Sequence, residues 1–341
     1  MISRRKILKS AATAAAAGLM PNIAFGQAAK YAAKIAHLEA PTQPRHKGLE
    51  KVSALVKERT DGEVEFTIYP LSQLGNARQM IEGTQFGAIE CTVQPAAFLG
   101  GFNPVVSVLD VPYLFPSDRL ISQKLRDGPF GQALLDSFDS RGLHALTEWP
   151  NGRKSLTSNK PLDNLEDLAG QKFRVMDSKI LIDQFAAVGA TAVAINFSEL
   201  YTSLQTGLVD GQENPLDTIT TMKFHEVQKN LVVTEHGAME DFVLFNPAWW
   251  TTLPDGHKAI IAKTFDEVRP EVEKMKEEAM EKSLEIIKGA NVNVRITDEA
   301  ERKKLRDATV AKARDAYQAL AGVEGEQVLK IYDSEIKKLA G

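Results

Sequence analysis

The sequence predicts a two-domain α/β protein, and three observations predict it: a length of 341 residues, two successive blocks in which short apolar strands alternate with helix patterns, and a long charged helical tail. The length matches two ordinary domains. The first block opens with a strand from Ala33 to Leu38. Lys47 to Arg59 then carries Leu49, Val52, Leu55 and Val56 at helical spacing, and the Asp61-Gly62 turn leads into Val64, Phe66 and Ile68 at strand alternation. Gly75 opens a helix reaching Phe86, and Ile89 to Val93 reads as a buried strand. This βαβ rhythm predicts a mostly parallel sheet.

The second block follows the Pro150-Asn151-Gly152 turn. Phe173–Met176 reads as a strand, Lys179–Val188 as a helix, Thr191–Asn196 as a strand, and Ser198–Leu208 as a helix with Ser198 as its N-cap. From Pro254 to about Ile287 the pattern is one of a long charged helix, which Pro270 is expected to end or kink. Thr297 to Leu339 reads as further helices.

Composition narrows the function. Hydrophobic residues make up 43% and charged residues 25%, and the mean hydropathy of -0.21 excludes a multi-span membrane protein. With 41 basic residues against 45 acidic ones, a net charge of -4 gives no general attraction for nucleic acid. The amino terminus carries Arg4, Arg5, Lys6 and Lys9 without an acid, then an Ala-rich run from Ala11 to Met20 and small residues at Ala24 and Gly26. This is the pattern of a twin-arginine export signal over residues 1–26, cleaved near Gly26. A basic amphipathic tail and a retained anchor are the alternatives. Cleavage leaves 37 basic residues against 45 acidic ones, a net charge of -8 on an exported chain. Cys91, the single cysteine, has no partner for an internal disulfide.

Catalytic signatures are missing. The six histidines include no pair at metal-binding helical spacing, and neither a nucleophile elbow nor a phosphate-binding loop occurs. No catalytic residue, metal or cofactor is expected. The informative residue is Arg174, which falls inside an otherwise apolar strand, Gly170-Gln-Lys-Phe-Arg-Val-Met176. A buried guanidinium requires an anion, either an internal Asp or Glu or the carboxylate of a bound ligand. Downstream, Asp210-Gly-Gln-Glu-Asn214-Pro215 is a turn whose proline fixes the backbone, a place where amide groups face a cleft or simply close a loop.

These two segments resemble the substrate-binding subunits of tripartite ATP-independent periplasmic (TRAP) transporters, the DctP family. The resemblance extends through Pro70-Leu-Ser-Gln-Leu-Gly75 with Arg78, Leu109-Asp-Val-Pro-Tyr-Leu-Phe115, Gly152–Thr157, Lys223–Lys229 and Thr234-Glu-His236. It implies a periplasmic binding protein type II-like fold, two α/β domains around a ligand cleft, joined by hinge strands and a long helix. One domain is then 27–151 plus about 240–280, and the other 152–239 plus about 281–341. It implies a non-enzymatic periplasmic protein that captures a small organic anion, such as a C4-dicarboxylate or sugar acid, and delivers it to a membrane permease. A ligand sensor presenting the same fold to a receptor is the alternative. Arg174 matches the family arginine that grips the ligand carboxylate with two hydrogen bonds, Asn214 matches the ligand-bonding asparagine, and Phe197 lies where an aromatic packs on the ligand. The family's second ligand-facing arginine is replaced by Lys154, with Arg153 beside it, and either supplies the second anion contact. Asn76 and Gln94 are the ligand-facing amides of the first domain; His236 and Asp241 complete the expected site.

Overall fold

The computed structural model describes residues 29–340, so the export signal read over residues 1–26 lies outside the described residues. The first block forms β1 (Tyr31–His37), α1 (Pro44–Arg59), β2 (Val64–Tyr69), α2 (Ala77–Gln85) and β3 (Cys91–Pro95), with β1 parallel to both β2 and β3. Leu49, Val52 and Val56 of α1 are fully buried against Ala33, Ile35 and Val64. Each contributes about 1.5–3 kcal/mol by leaving water. The lobe continues through α3 (Arg119–Asp127), α4 (Pro129–Asp136) and β4 (His144–Arg153).

The second lobe holds β5 (Ser155–Ser158), β6 (Lys172–Val175), α5 (Lys179–Ala187), β7 (Thr191–Ala194), α6 (Leu200–Gln205), β8 (Gly211–Asn214), α7 (Leu216–Thr221) and β9 (Asn230–Val233). The chain then returns through β10 (Ala238–Phe245), α8 (Pro247–Thr252), α9 (Asp255–Lys288), β11 (Asn293–Ile296) and α10 (Glu299–Ala340). Two sheets result, ordered β2-β1-β3-β10-β4 and β11-β9-β5-β8-β6-β7. Both are mixed rather than mostly parallel. The reason is the double crossing between lobes: β4 leaves the first lobe into β5, β9 returns into β10, and strands that run out and back must pair antiparallel, as β4 with β10 and β5 with β9 do.

Two helix expectations change. Ser198 lies inside a short 3₁₀ turn, Phe197–Glu199, and caps nothing, because the chain is already turning when α6 begins. Pro270 neither ends nor divides α9, which runs through it from Asp255 to Lys288. Pro270 is exposed, so the carbonyl left without an amide donor faces water. The tail helix α10 bends at Gly322. Tyr317 donates its hydroxyl to the Val105 carbonyl at 2.9 Å, and Val328, Leu329 and Tyr332 pack with Phe130 and Leu134 of the first lobe.

The lobes repeat one local device. Gln85-Phe-Gly87 ends α2 and Gln205-Thr-Gly207 ends α6, each glycine in the left-handed region (φ 78° and 71°), where L side chains are strained. Each turn feeds a buried strand closing in an amide and a proline, Gln94-Pro95 in β3 and Asn214-Pro215 after β8. The two amides therefore stand at equivalent positions of the two lobes.

Candidate ligand site

Strand alternation builds the floor of the site. Arg174 of β6 is in register with Gln212 of β8, so Arg174, Met176, Gln212 and Asn214 project from one face of the sheet and Glu213 from the other. On the first face a small cavity lies between the lobes, walled by Leu38, Glu39, Arg45, Pro95 and Phe98 on one side and by Met176, Phe197, Asn214 and Thr218 on the other. Polar contacts tie the walls together. Ser178 donates its hydroxyl to Asp110 at 2.7 Å, Gln43 donates to Thr218 at 3.4 Å, and Lys276 of α9 reaches Asp217 at 2.6 Å.

Arg174 is 1% exposed. Its Nε donates to the Ile195 carbonyl at 2.8 Å, and its guanidinium carbon lies 5.9 Å from the centre of the Phe197 ring, which lines the cavity. Its Nη2 has no hydrogen-bond partner among the described residues, and no carboxylate forms an ion pair with it. Glu213, whose charge acts on Arg174, faces away and has its own partners. Burial pulls the Arg174 guanidinium down to about 10, partly offset by Glu213, and it stays cationic at neutral pH. An unpaired buried cation is costly unless an anion meets it.

Lys154 does not reach the cavity. Its Nζ donates to Glu213 Oε1 at 2.9 Å, while His236 Nε2 donates to Glu213 Oε2 at 2.8 Å and Thr234 Oγ1 bonds His236 Nδ1 at 2.6 Å. All of this lies on the Glu213 side of the sheet. An ionised carboxylate only accepts, so Glu213 makes both ring nitrogen Nε2 and the Lys154 ammonium its donors. Arg153 turns elsewhere, donating to the carbonyls of Phe115 and Pro116. Of the two residues expected to supply the second anion contact, neither lines the cavity in this structure. Asp241 is buried behind the cavity wall as the partner of Arg45, with burial pushing its carboxyl up to about 7 against the pull of that guanidinium. Gln94 donates to Thr92 at 2.8 Å, leaving its Oε1 without a partner, and Asn76 caps α2 by accepting from the Gln79 amide at 2.9 Å while lining the outer mouth beside Phe98 and Phe197. Asn214 is buried, donates to Gln212 and lines the cavity wall.

The Glu213 cluster makes stability depend on pH. Burial alone would raise its carboxyl, but Lys154 and His236 outweigh burial and hold it at about 2, below the ordinary 4.5. The folded state thus binds fewer protons than the unfolded one in that window. Its contribution is complete above pH 4.5 and is lost as pH falls toward 2. Melting temperatures measured down this range are expected to fall, and less steeply in Glu213→Gln; parallel slopes for the two proteins would remove this cluster as the cause.

Glu39 and Arg45 are the cavity residues that sequence reading passed over. The available signal was position: both follow the carboxyl end of β1, where open α/β sheets bind ligands. Among the described residues no cluster of metal-ligating side chains occurs, and no helix is long and apolar enough to cross a membrane.

Comparison with known proteins places this geometry. The sequence model of the bacterial extracellular solute-binding protein family 7, DctP, matches residues 35–319. The C4-dicarboxylate-binding periplasmic protein DctP of Rhodobacter capsulatus is 35% identical over 261 residues, 75% of this chain and 77% of that protein. The crystal structure of a TRAP periplasmic solute binding protein from Desulfovibrio salexigens with bound orotic acid is 60% identical with a TM-score of 0.90, covering 90% of this chain and 99% of that one. A second, from Sulfurospirillum deleyianum with bound succinate, is 31% identical with a TM-score of 0.81, covering 88% and 99%. With two α/β lobes, a cleft between them and the family match spanning most of its length, the chain belongs to the DctP family of extracellular solute-binding proteins, the substrate-binding subunits of TRAP transporters.

Proposed function

We propose that the protein works in the periplasm, catalyses no reaction, and captures a compact organic acid between its lobes for delivery to a TRAP membrane permease. One observation carries this reading: the buried Arg174 guanidinium beside Phe197, with a nitrogen that no group among the described residues satisfies. A carboxylate docking there gains two charge-assisted hydrogen bonds in a planar fork, and Asn214 stands on the same sheet face to bond it further. Closure follows from differential affinity. The acid meets groups of both lobes only when they are together, so it favours the closed state.

Among such acids orotate is the first to test, because a chain 60% identical to this one holds orotic acid. Protein unfolded and refolded to strip carried-over ligand is to be melted with orotate, succinate, sugar acids and neutral analogues. An acid at 100 times its Kd stabilises by about 2.7 kcal/mol, a rise of several degrees. Shifts produced only by neutral analogues, or by no compound, would end this reading.

A further inference from the structure

The first-lobe wall of the cavity carries an acid that the carboxylate-capture reading leaves without a task. Glu39 follows β1 and lines the cavity while only 4% exposed, and neither of its carboxylate oxygens accepts a hydrogen bond from the described residues. It is ion-paired on one side only, with Arg45 Nη2 3.3 Å and Lys276 Nζ 3.9 Å from Oε1, neither in hydrogen-bonding geometry. Burial alone would raise its carboxyl, but Arg45, Lys276, His37 and the nearby Asn151 amide together hold it below the ordinary value, so it remains an acceptor. Beside it, Arg45 is pinned by Asp241 and its Nε is a buried donor with no partner. The first-lobe wall thus presents an unfilled acceptor next to an unfilled donor.

Resting on the carboxylate reading above, we infer that the ligand is an acid whose far edge carries an amide- or imide-type N–H beside a carbonyl, and that Glu39 and Arg45 read that edge. A plain dicarboxylate would set a second anion against Glu39. An ammonium would add a third cation to a carboxylate already flanked by Arg45 and Lys276. A neutral N–H with an adjacent carbonyl satisfies both orphan groups without changing the charge of the wall. The faces of a planar ring bearing that edge meet Phe98, Phe197 and Met176.

The test is calorimetric titration of ligand-stripped protein with orotate, 1,3-dimethylorotate and succinate. Wild type is expected to bind orotate at least tenfold more tightly than the dimethyl compound. In Glu39→Gln orotate weakens at least tenfold, and the gap between the two orotates closes. Glu39→Asp, which keeps the charge and withdraws the oxygens by one methylene, gives the same reading if the glutamine variant fails to fold. Equal affinity of wild type for both orotates, or an unchanged preference in both variants, overturns the inference. Succinate binding through Arg174 with no orotate binding overturns it too, yet leaves carboxylate capture standing. Loss of every acid from wild type, or acid binding that survives Arg174→Met, defeats carboxylate capture itself.

Discussion

Arg174→Met is expected to lower organic-acid affinity on the order of 10²- to 10⁴-fold while leaving the ligand-free protein as stable as wild type or more stable. The first part follows from two charge-assisted hydrogen bonds at about 1.5–3 kcal/mol each. The second follows from what the guanidinium lacks. It is 1% exposed and has one bonded nitrogen, to the Ile195 carbonyl, with no counter-ion. Replacing a desolvated, incompletely bonded cation by a flexible apolar chain of similar length removes that cost and fills the space beside Phe197. An ordinary internal ion pair behaves in the opposite way, so the two readouts together identify a residue held ready for a ligand. Arg174→Lys is expected to fall between, since an ammonium cannot reproduce the fork. Titration calorimetry and thermal melts check both parts. A methionine variant that binds acids within a few-fold of wild type, or one that loses several kcal/mol without ligand, would contradict the assignment.

Lys154→Met is expected to show the reverse signature, a loss of about 3–5 kcal/mol in stability with ligand affinity nearly unchanged. Lys154 and Glu213 are 2% and 1% exposed, and removing the ammonium leaves Glu213 with His236 as its one donor. For a lobe of this size the expected fall in melting temperature is on the order of 10 °C. The double variant Lys154→Met with Glu213→Leu is expected to recover most of that loss, because paired apolar replacements of a buried ion pair are often neutral or stabilising. Should Lys154→Met melt normally and lose the acid, the lysine would be a ligand contact after all, and the charge balance of the cavity would need redrawing. The contrast between the two substitutions separates a cation that the fold consumes from one that it keeps available.

Much of the architecture was legible along the chain. β1, β2, β3, β6 and β7 and helices α1, α2 and α5 announce themselves because their apolar spacing follows the period of the element that buries it. The crossing strands did not. β4, β5, β9 and β10 carry Glu148, Thr157, Asn230 and Asp241 among their apolar residues, so alternation is blurred where strands leave one sheet for another. Pro270 read as a break because the rule for proline is local, whereas α9 is held by Ile261, Phe265, Val268 and Val272 packing along its length.

For the site, the sequence by itself determined that one arginine would be buried in a strand and would therefore need an anion. That follows from burial energetics at a single position. Which anion it meets was decided by tertiary structure, because the identity of a partner depends on which face of a strand each side chain takes and on pairs far apart in sequence. Glu213 stands one residue before Asn214 yet faces the other way, where Lys154 and His236 neutralise it and leave Arg174 unmatched. Glu39 carried only the signal of its position after β1, since an acid in a loop after a strand otherwise looks like an ordinary solvated charge. Tertiary packing against Arg45 and Lys276 takes that carboxylate out of water and leaves it on the cavity wall.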